Sequence, residues 1–207
     1  MCDAVPLLCG AFDDFALDLS PSLHPPTTSC VRKMAEGLWL GSWLRFITGG
    51  RFAPFVPTQM DVARQMLHHA KLQPGERLVD LGCGDARLLK LAVDEGGARA
   101  ATGYEMDAAL VLIPRASTAA DARCCVRHAD ALSAGPALRS ADVVTLFLSE
   151  RGNAAVLPFL RASLRPGARV VSNAWEMPPA VQAKAATMLM PRSGVPLHLW
   201  RAEALIT

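Results

Sequence analysis

Five short, nearly continuous apolar runs constrain what this chain can fold into: RLVDLG (77–82), ATGYEM (101–106), CCVRHAD (124–130), DVVTLFLS (142–149) and RVVSNA (169–174). Runs of this length and composition read as strands buried on both faces. Stretches of helical pattern separate the first four. NAAVLPFLRASL (153–164) lies between the fourth and the fifth, with Pro158 as a kink or a late helix start. Strand and helix in alternation predict a parallel sheet with helices on both faces. ATMLMP (186–191) and PLHLWRAEA (196–204) read as a final pair of strands closing as a hairpin. No internal repeat is visible.

The first strand ends in a tight turn. In RLVDLGCGDARL, Arg77 to Leu88, two glycines flank Cys83, with Asp80 before them and Asp85 after. In a parallel sheet, ligands sit beyond the carboxyl ends of the strands, where the strand order reverses. Gly82 and Gly84 permit positive φ and close backbone approach, and a helix N-terminus follows. A dinucleotide fingerprint needs a third glycine, and Ala86 and Arg87 stand in that region instead. S-adenosylmethionine has no phosphate. It needs backbone contact at its methionine end and acceptors for its ammonium and ribose hydroxyls. Asp80 lies beside the turn, Glu105 at the end of the second strand and Asp130 at the end of the third. An ionised carboxylate offers two acceptor oxygens, which suits Glu105 to a ribose diol and Asp130 to an adenine amine. The competing reading has such acids merely cap helices, and it weighs more on Asp130 than on Glu105. Leu81, Cys83, Met106 and Ala131, and Phe147 at the end of the fourth strand, complete the cofactor set.

The chain has 207 residues and a net charge of +2, enough for one domain with an appendage and no general affinity for nucleic acid. Residues 1–30 hold Asp3, Asp13, Asp14 and Asp18 and no Lys or Arg, so the remainder carries +6. The six cysteines, Cys2, Cys9, Cys30, Cys83, Cys124 and Cys125, make no metal spacing and suit a reducing compartment. His68-His69 reads as the solvated edge of a helix, and no metal is expected. Residues 1–33, with SPSLHPPTTS, read as loop or disordered, without the basic start of a secretory signal. Residues 34–50 read as an apolar amphipathic helix with Trp39, Trp43 and Phe46 on its wide stripe. Only eight residues separate Glu36 from Arg45, far short of the ~20 that span a bilayer. The helix either docks on the domain or makes a peripheral membrane contact through 34–48. Residues 51–207 form the catalytic domain. In it, Thr58 is expected to cap a helix over 59–70, with Asp61 completing a near capping box and Met60, Ala63, Met66, Leu67 and Ala70 buried.

PFVPTQMDVARQML, LVDLGCGDARLL, GYEMDAALV and ARVVSNAWEMP together resemble the seven-β-strand protein lysine methyltransferases that act on the adenine nucleotide translocase and the ATP synthase c subunit. The resemblance covers roughly 50–205 and implies a Rossmann-like class I fold with a C-terminal antiparallel strand. It implies S-adenosyl-L-methionine as cofactor, a lysine side chain of a mitochondrial inner-membrane protein as acceptor, and a mitochondrial, membrane-associated location, with the cytoplasm as the alternative. It implies that Asp80, Gly82 and Gly84 belong to the cofactor site and that Phe55, Val56, Pro57 and Thr58 close over the methionine end. The family's turn usually reads Gly-Asp-Gly-Arg, where this chain has Ala86, and its fourth strand is usually followed by a proline, where Ser149-Glu150 stand. No NPPY-type motif follows that strand. Glu150 and Trp175, past the fourth and fifth strands, are the candidates beside an incoming amine, with solvated loop acid and core aromatic as their plainer readings. A monomer is expected. A small-molecule methyltransferase and an inactive cofactor-binding scaffold are the alternatives.

Overall fold

The computed structural model describes residues 53, 55–112 and 121–206. The readings of 1–33 and of the 34–50 helix lie outside them. Seven strands form one sheet in the order β3-β2-β1-β4-β5-β7-β6. They are β1 (Arg77–Leu81), β2 (Ala100–Glu105), β3 (Cys124–His128), β4 (Val143–Leu146), β5 (Arg169–Asn173), β6 (Ala186–Leu189) and β7 (Pro196–Arg201). The first five pair in parallel. β7 runs antiparallel to β5 and to β6. This is the class I methyltransferase architecture. The β6–β7 hairpin forms as expected, but PLHLWRAEA does not stay extended to its end. The strand stops at Arg201 and 202–206 turn into a short helix.

Side chains alternate between the two faces of a strand, and the core divides accordingly. Leu78, Val143, Val171 and Leu197 face α1 (Met60–His69) and α2 (Arg87–Asp94). Val79, Leu81, Val144, Leu146, Val170 and Trp200 face the opposite layer. That layer holds α3 (Gly135–Leu138), α4 (Glu150–Ser163) and α6 (Ala202–Ile206), while α5 (Pro179–Gln182) packs Val181 beneath Trp200. α4 runs through Pro158 without ending there.

Three local expectations are corrected. The first helix begins at Met60 with Gln59 at its N-cap, and no side chain caps it. Thr58 lies one residue too early, and Asp61 Oδ1 accepts from the adjacent Val62 N–H instead of completing a capping box. Met60 is correspondingly exposed. β3 is not buried on both faces: it is an edge strand paired only with β2, and Arg127 and His128 are exposed. The crossing from β3 to β4 is a 3-10 turn, Ala131–Ser133, and the four-residue α3 rather than a full crossover helix.

Candidate functional site

The strand order reverses between β1 and β4. A cleft with an empty volume of about 910 Å³, open mouth included, lies over their carboxyl ends. Its walls include Phe55, Pro57, Thr58, Asp80, Gly82, Cys83, Gly84, Glu105, Met106, Asp130, Ala131 and Phe147. Leu81 is not among them. It is one residue out of phase with Asp80 and packs in the core beneath α4. Glu150 and Trp175 also lie off the cleft wall. Glu150 is exposed in the first turn of α4, and the Trp175 side chain is 41% exposed beyond β5.

The turn after β1 is shaped by what touches it. Gly82 and Gly84 have φ of +84° and +53°. A Cβ on Gly84 would stand 2.7 Å from Phe55 Cε2, so that ring lies directly on the turn. Backbone N–H groups of Gly82 and Cys83 donate to the Tyr104 carbonyl at 2.9 and 3.0 Å. Glu105 finishes the link: Oε2 accepts from Gly84 N–H at 3.0 Å and Oε1 from Asp107 N–H at 2.8 Å. Each oxygen retains a second lone pair. The expectation that Glu105 faces the cleft from the end of β2 therefore meets a residue already holding the turn. Asp130 does cap, since its Oδ1 accepts from Leu132 N–H at 2.8 Å, and it lines the cleft as well.

Asp80 is buried at the end of β1. Its Oδ1 accepts from the Thr145 hydroxyl at 2.7 Å. Burial pushes its pKa up to about 7. The Thr145 hydrogen bond opposes this, and the charges of Glu105 and Asp85 add to it. Thr145 was not singled out from the sequence. The signal was a hydroxyl inside the apolar run ADVVTLFLS, which had to find a buried partner. Burial likewise pushes the Cys83 thiol up, leaving it a packing residue against Gly103. The cation on the cleft wall, Arg87, is engaged by Asp85, with Nε 2.9 and 3.0 Å from the two carboxylate oxygens.

Among the described residues, the cleft wall carries carboxylates, and its cation, Arg87, is engaged by Asp85. That set of anionic acceptors fits a ligand with positive ammonium and sulfonium groups. The model of the ANTKMT methyltransferase domain matches residues 80–184. The chain belongs to that methyltransferase family. A protein-lysine N-methyltransferase of Saccharolobus islandicus is 33% identical over 129 residues, 60% of this chain and 78% of the relative. The mouse adenine nucleotide translocase lysine N-methyltransferase is 32% identical over 128 residues, 60% of this chain but only 54% of the relative's length. A Salinibacter ruber RNA methyltransferase solved with S-adenosyl-L-homocysteine is 31% identical. It covers 71% of this chain and 94% of its own, with a TM-score of 0.64. The chain is an S-adenosylmethionine-dependent methyltransferase of class I fold.

Proposed function

We propose that this methyltransferase acts on lysine side chains of a protein, and that its acceptor is a mitochondrial membrane protein. The observation that carries the protein reading is the charge at the acceptor side. Past β4 the chain reads Phe147-Leu148-Ser149-Glu150 rather than an NPPY-type motif. Glu150 and Glu176 are exposed with Trp175 at the same edge of the sheet. Two carboxylates and an aromatic face attract an ammonium and repel a phosphate backbone. The archaeal and mouse relatives, both lysine N-methyltransferases by name, point the same way, and the family resemblance of the sequence motifs supplies the mitochondrial part.

In this reading Asp80, Gly82, Gly84, Glu105 and Asp130 bind the cofactor, with Phe55, Pro57 and Thr58 as its roof. When bound, the cofactor would supply an electrophilic methyl on a positive sulfur, for an amine lone pair to take as the S–C electron pair returns to sulfur. The protein's share is positioning and exclusion of water. Phe55, Phe147 and Leu148 make the dry walls. The lysine must arrive neutral although its ordinary pKa is ~10.4. Glu150 draws the ammonium in, and the proton leaves to solvent beside it. No helix among the described residues is long and apolar enough to cross a membrane. The 34–48 stripe, outside those residues, is the segment we assign to membrane contact.

Labelled S-adenosylmethionine, incubated with the enzyme and mitochondrial membrane extract, soluble protein, ribosomal RNA or a small-molecule fraction, tests the proposal. Label in a membrane protein band that hydrolyses to methyl-lysine is the expected result. Label in RNA or small molecules only would overturn the protein assignment. Label in soluble protein only would overturn the membrane part.

A further inference from the structure

The segment before α1 meets the turn after β1 at two points, and one residue makes the second of them. Phe55 rests its ring on Gly84, in the space a side chain there would need. Three residues on, the Thr58 carbonyl accepts from Arg87 Nη1 at 3.0 Å. The other nitrogens of the same guanidinium fork onto Asp85. The planar fork of arginine suits this, because one rigid group bonds a carboxylate with one side and a carbonyl with another. Asp85 fixes the fork and the fork fixes the strap. The bond to Thr58 goes to backbone, so it sets the strap's position whatever the Thr58 side chain does.

Phe55, Val56, Pro57 and Thr58 all line the cleft, as do Gly84, Asp85 and Arg87 beneath them. The strap is therefore a roof and the turn a floor, with the cofactor's place between. Val56 and Pro57 are exposed, so little core packing holds the roof down. Hydrogen bonds to a charged donor are the stronger class. Arg87 is itself neutralised by Asp85, which removes it from service as a counter-ion for a ligand carboxylate.

We propose that Arg87 is a positioning residue that latches the 55–58 strap over the cleft and thereby sets how long the cofactor stays bound. This rests on the cofactor reading of the cleft but not on the identity of the acceptor. Release requires the strap to lift, and lifting it breaks the Arg87–Thr58 bond and slides Phe55 off Gly84.

The test uses S-adenosyl-L-homocysteine as probe on the full chain, with affinity, dissociation rate and the melting temperature of the ligand-free protein measured together. Wild-type binding verifies the cofactor reading independently of Arg87. Arg87→Met keeps the stem and removes the fork. It is expected to speed dissociation by about tenfold, equivalent to about 1.4 kcal/mol, with a ligand-free Tm within a few degrees of wild type. Arg87→Lys retains a single point donor and should recover part of the slow dissociation. Phe55→Ala should speed dissociation too, and combining it with Arg87→Met should add little, because either change alone frees the same strap. A folded Arg87→Met with unchanged dissociation overturns the proposal. So do effects of the two substitutions that add in full. If Arg87→Met does not fold, Arg87→Lys and Phe55→Ala carry the same decision: dissociation unchanged in both ends the proposal.

Discussion

Over β1 and β2 the loops are held by carboxylates that accept from backbone N–H groups. Over β4 and β5 they are held by a side-chain amide that donates to carbonyls. Glu105 ties Gly84 and Asp107. On the other side Asn153, buried on α4, directs its Nδ2 at Ser172 Oγ and at the Trp175 and Glu176 carbonyls, at 3.1, 2.9 and 3.1 Å. Ser172 Oγ adds a 2.7 Å bond to the Trp175 carbonyl, and Ala174 turns with φ +64°. The first half places anions against the cleft and is built to hold a cation. The second is neutral inside and rigid, so its charges and its tryptophan are presented outward. In the proposed reading, binding and presentation are separated along one edge of the sheet.

Substitution of Asp80 should break the first half most completely. Asp80→Asn keeps an acceptor for Thr145 and removes the charge. Losing one partner of a buried charged contact costs about 3–5 kcal/mol, so affinity for S-adenosylmethionine should fall by at least a hundredfold while the domain stays folded. The sign of the pH effect follows from the raised pKa. In the unfolded chain an aspartate ionises near its model value of 3.8, whereas folded Asp80 ionises at about 7. Between these the folded state holds the extra proton, so Asp80's contribution to stability declines as pH rises through that window. Ligand-free Asp80→Asn should therefore match wild type at pH 4 and melt higher at pH 8. A bound cation favours the carboxylate, so wild-type cofactor affinity should rise through about pH 7, with proton release visible by calorimetry in two buffers. A pH-independent affinity would remove Asp80 from the cation's contacts.

The second half should fail differently. Asn153→Ala strands the Glu176 carbonyl, leaves the Trp175 carbonyl with its Ser172 bond, and should cost about 2–4 kcal/mol of stability, a fall in Tm of about 5–15 °C. Cofactor affinity, measured below that Tm, should move by less than about threefold, since the affected turn is off the cleft wall. Trp175→Ala is the counterpart. Its exposed ring predicts an unchanged Tm within about 2 °C and a loss of methyl transfer to protein. A strong effect of either substitution on cofactor affinity would erase the division between the halves.

Glu105→Gln comes next. The amide accepts at only one oxygen and turns an N–H toward one of the two backbone donors. Weakening by about 1.5–3 kcal/mol is expected. A cofactor analogue lacking a ribose hydroxyl should lose less on the variant than on wild type. Equal losses on both proteins would leave Glu105 as a brace for the turn and nothing more.

The difference between the halves also decides what could be read from the sequence. Strand runs, the glycine turn and the acids at strand ends are local patterns, and they located the sheet and 12 of the 13 cofactor candidates on the cleft wall, Leu81 excepted. Leu81 lies off that wall by one residue of strand phase. Thr145 was announced only by a hydroxyl in an apolar run, and Asn153 and Ser172 by no pattern, because each matters through a partner distant in the chain. Asn153 stands 19 residues from Ser172, and Thr145 65 from Asp80. The Arg87–Thr58 bond, across 29 residues and onto a carbonyl, leaves no trace in residue types. β3 reads as a buried strand from its apolar start, Cys124-Cys125-Val126, while its edge position is carried by the exposed Arg127 and His128 that follow.

The smallest expected effect lies within the turn itself. Ala86 precedes α2 with φ +59°, the left-handed region, at the position where the resembling family usually has glycine. That conformation costs a non-glycine residue about 1–2 kcal/mol. Two terms oppose relief by Ala86→Gly. Glycine loses about 0.4–1 kcal/mol more backbone entropy on folding, and the Ala86 methyl is buried, worth about 0.8 kcal/mol. The terms nearly cancel. Ala86→Gly should therefore shift Tm by no more than about 4 °C in either direction, and cofactor affinity should stay put, because Gly84 and Glu105 keep their bond. Ala86→Val forces a β-branched residue into the same φ and should lower Tm by clearly more. If Ala86→Gly lowered Tm by 10 °C or more, buried packing of that methyl rather than backbone strain would govern the entry to α2, and the carboxylate-held half would depend on packing as well as on its hydrogen bonds.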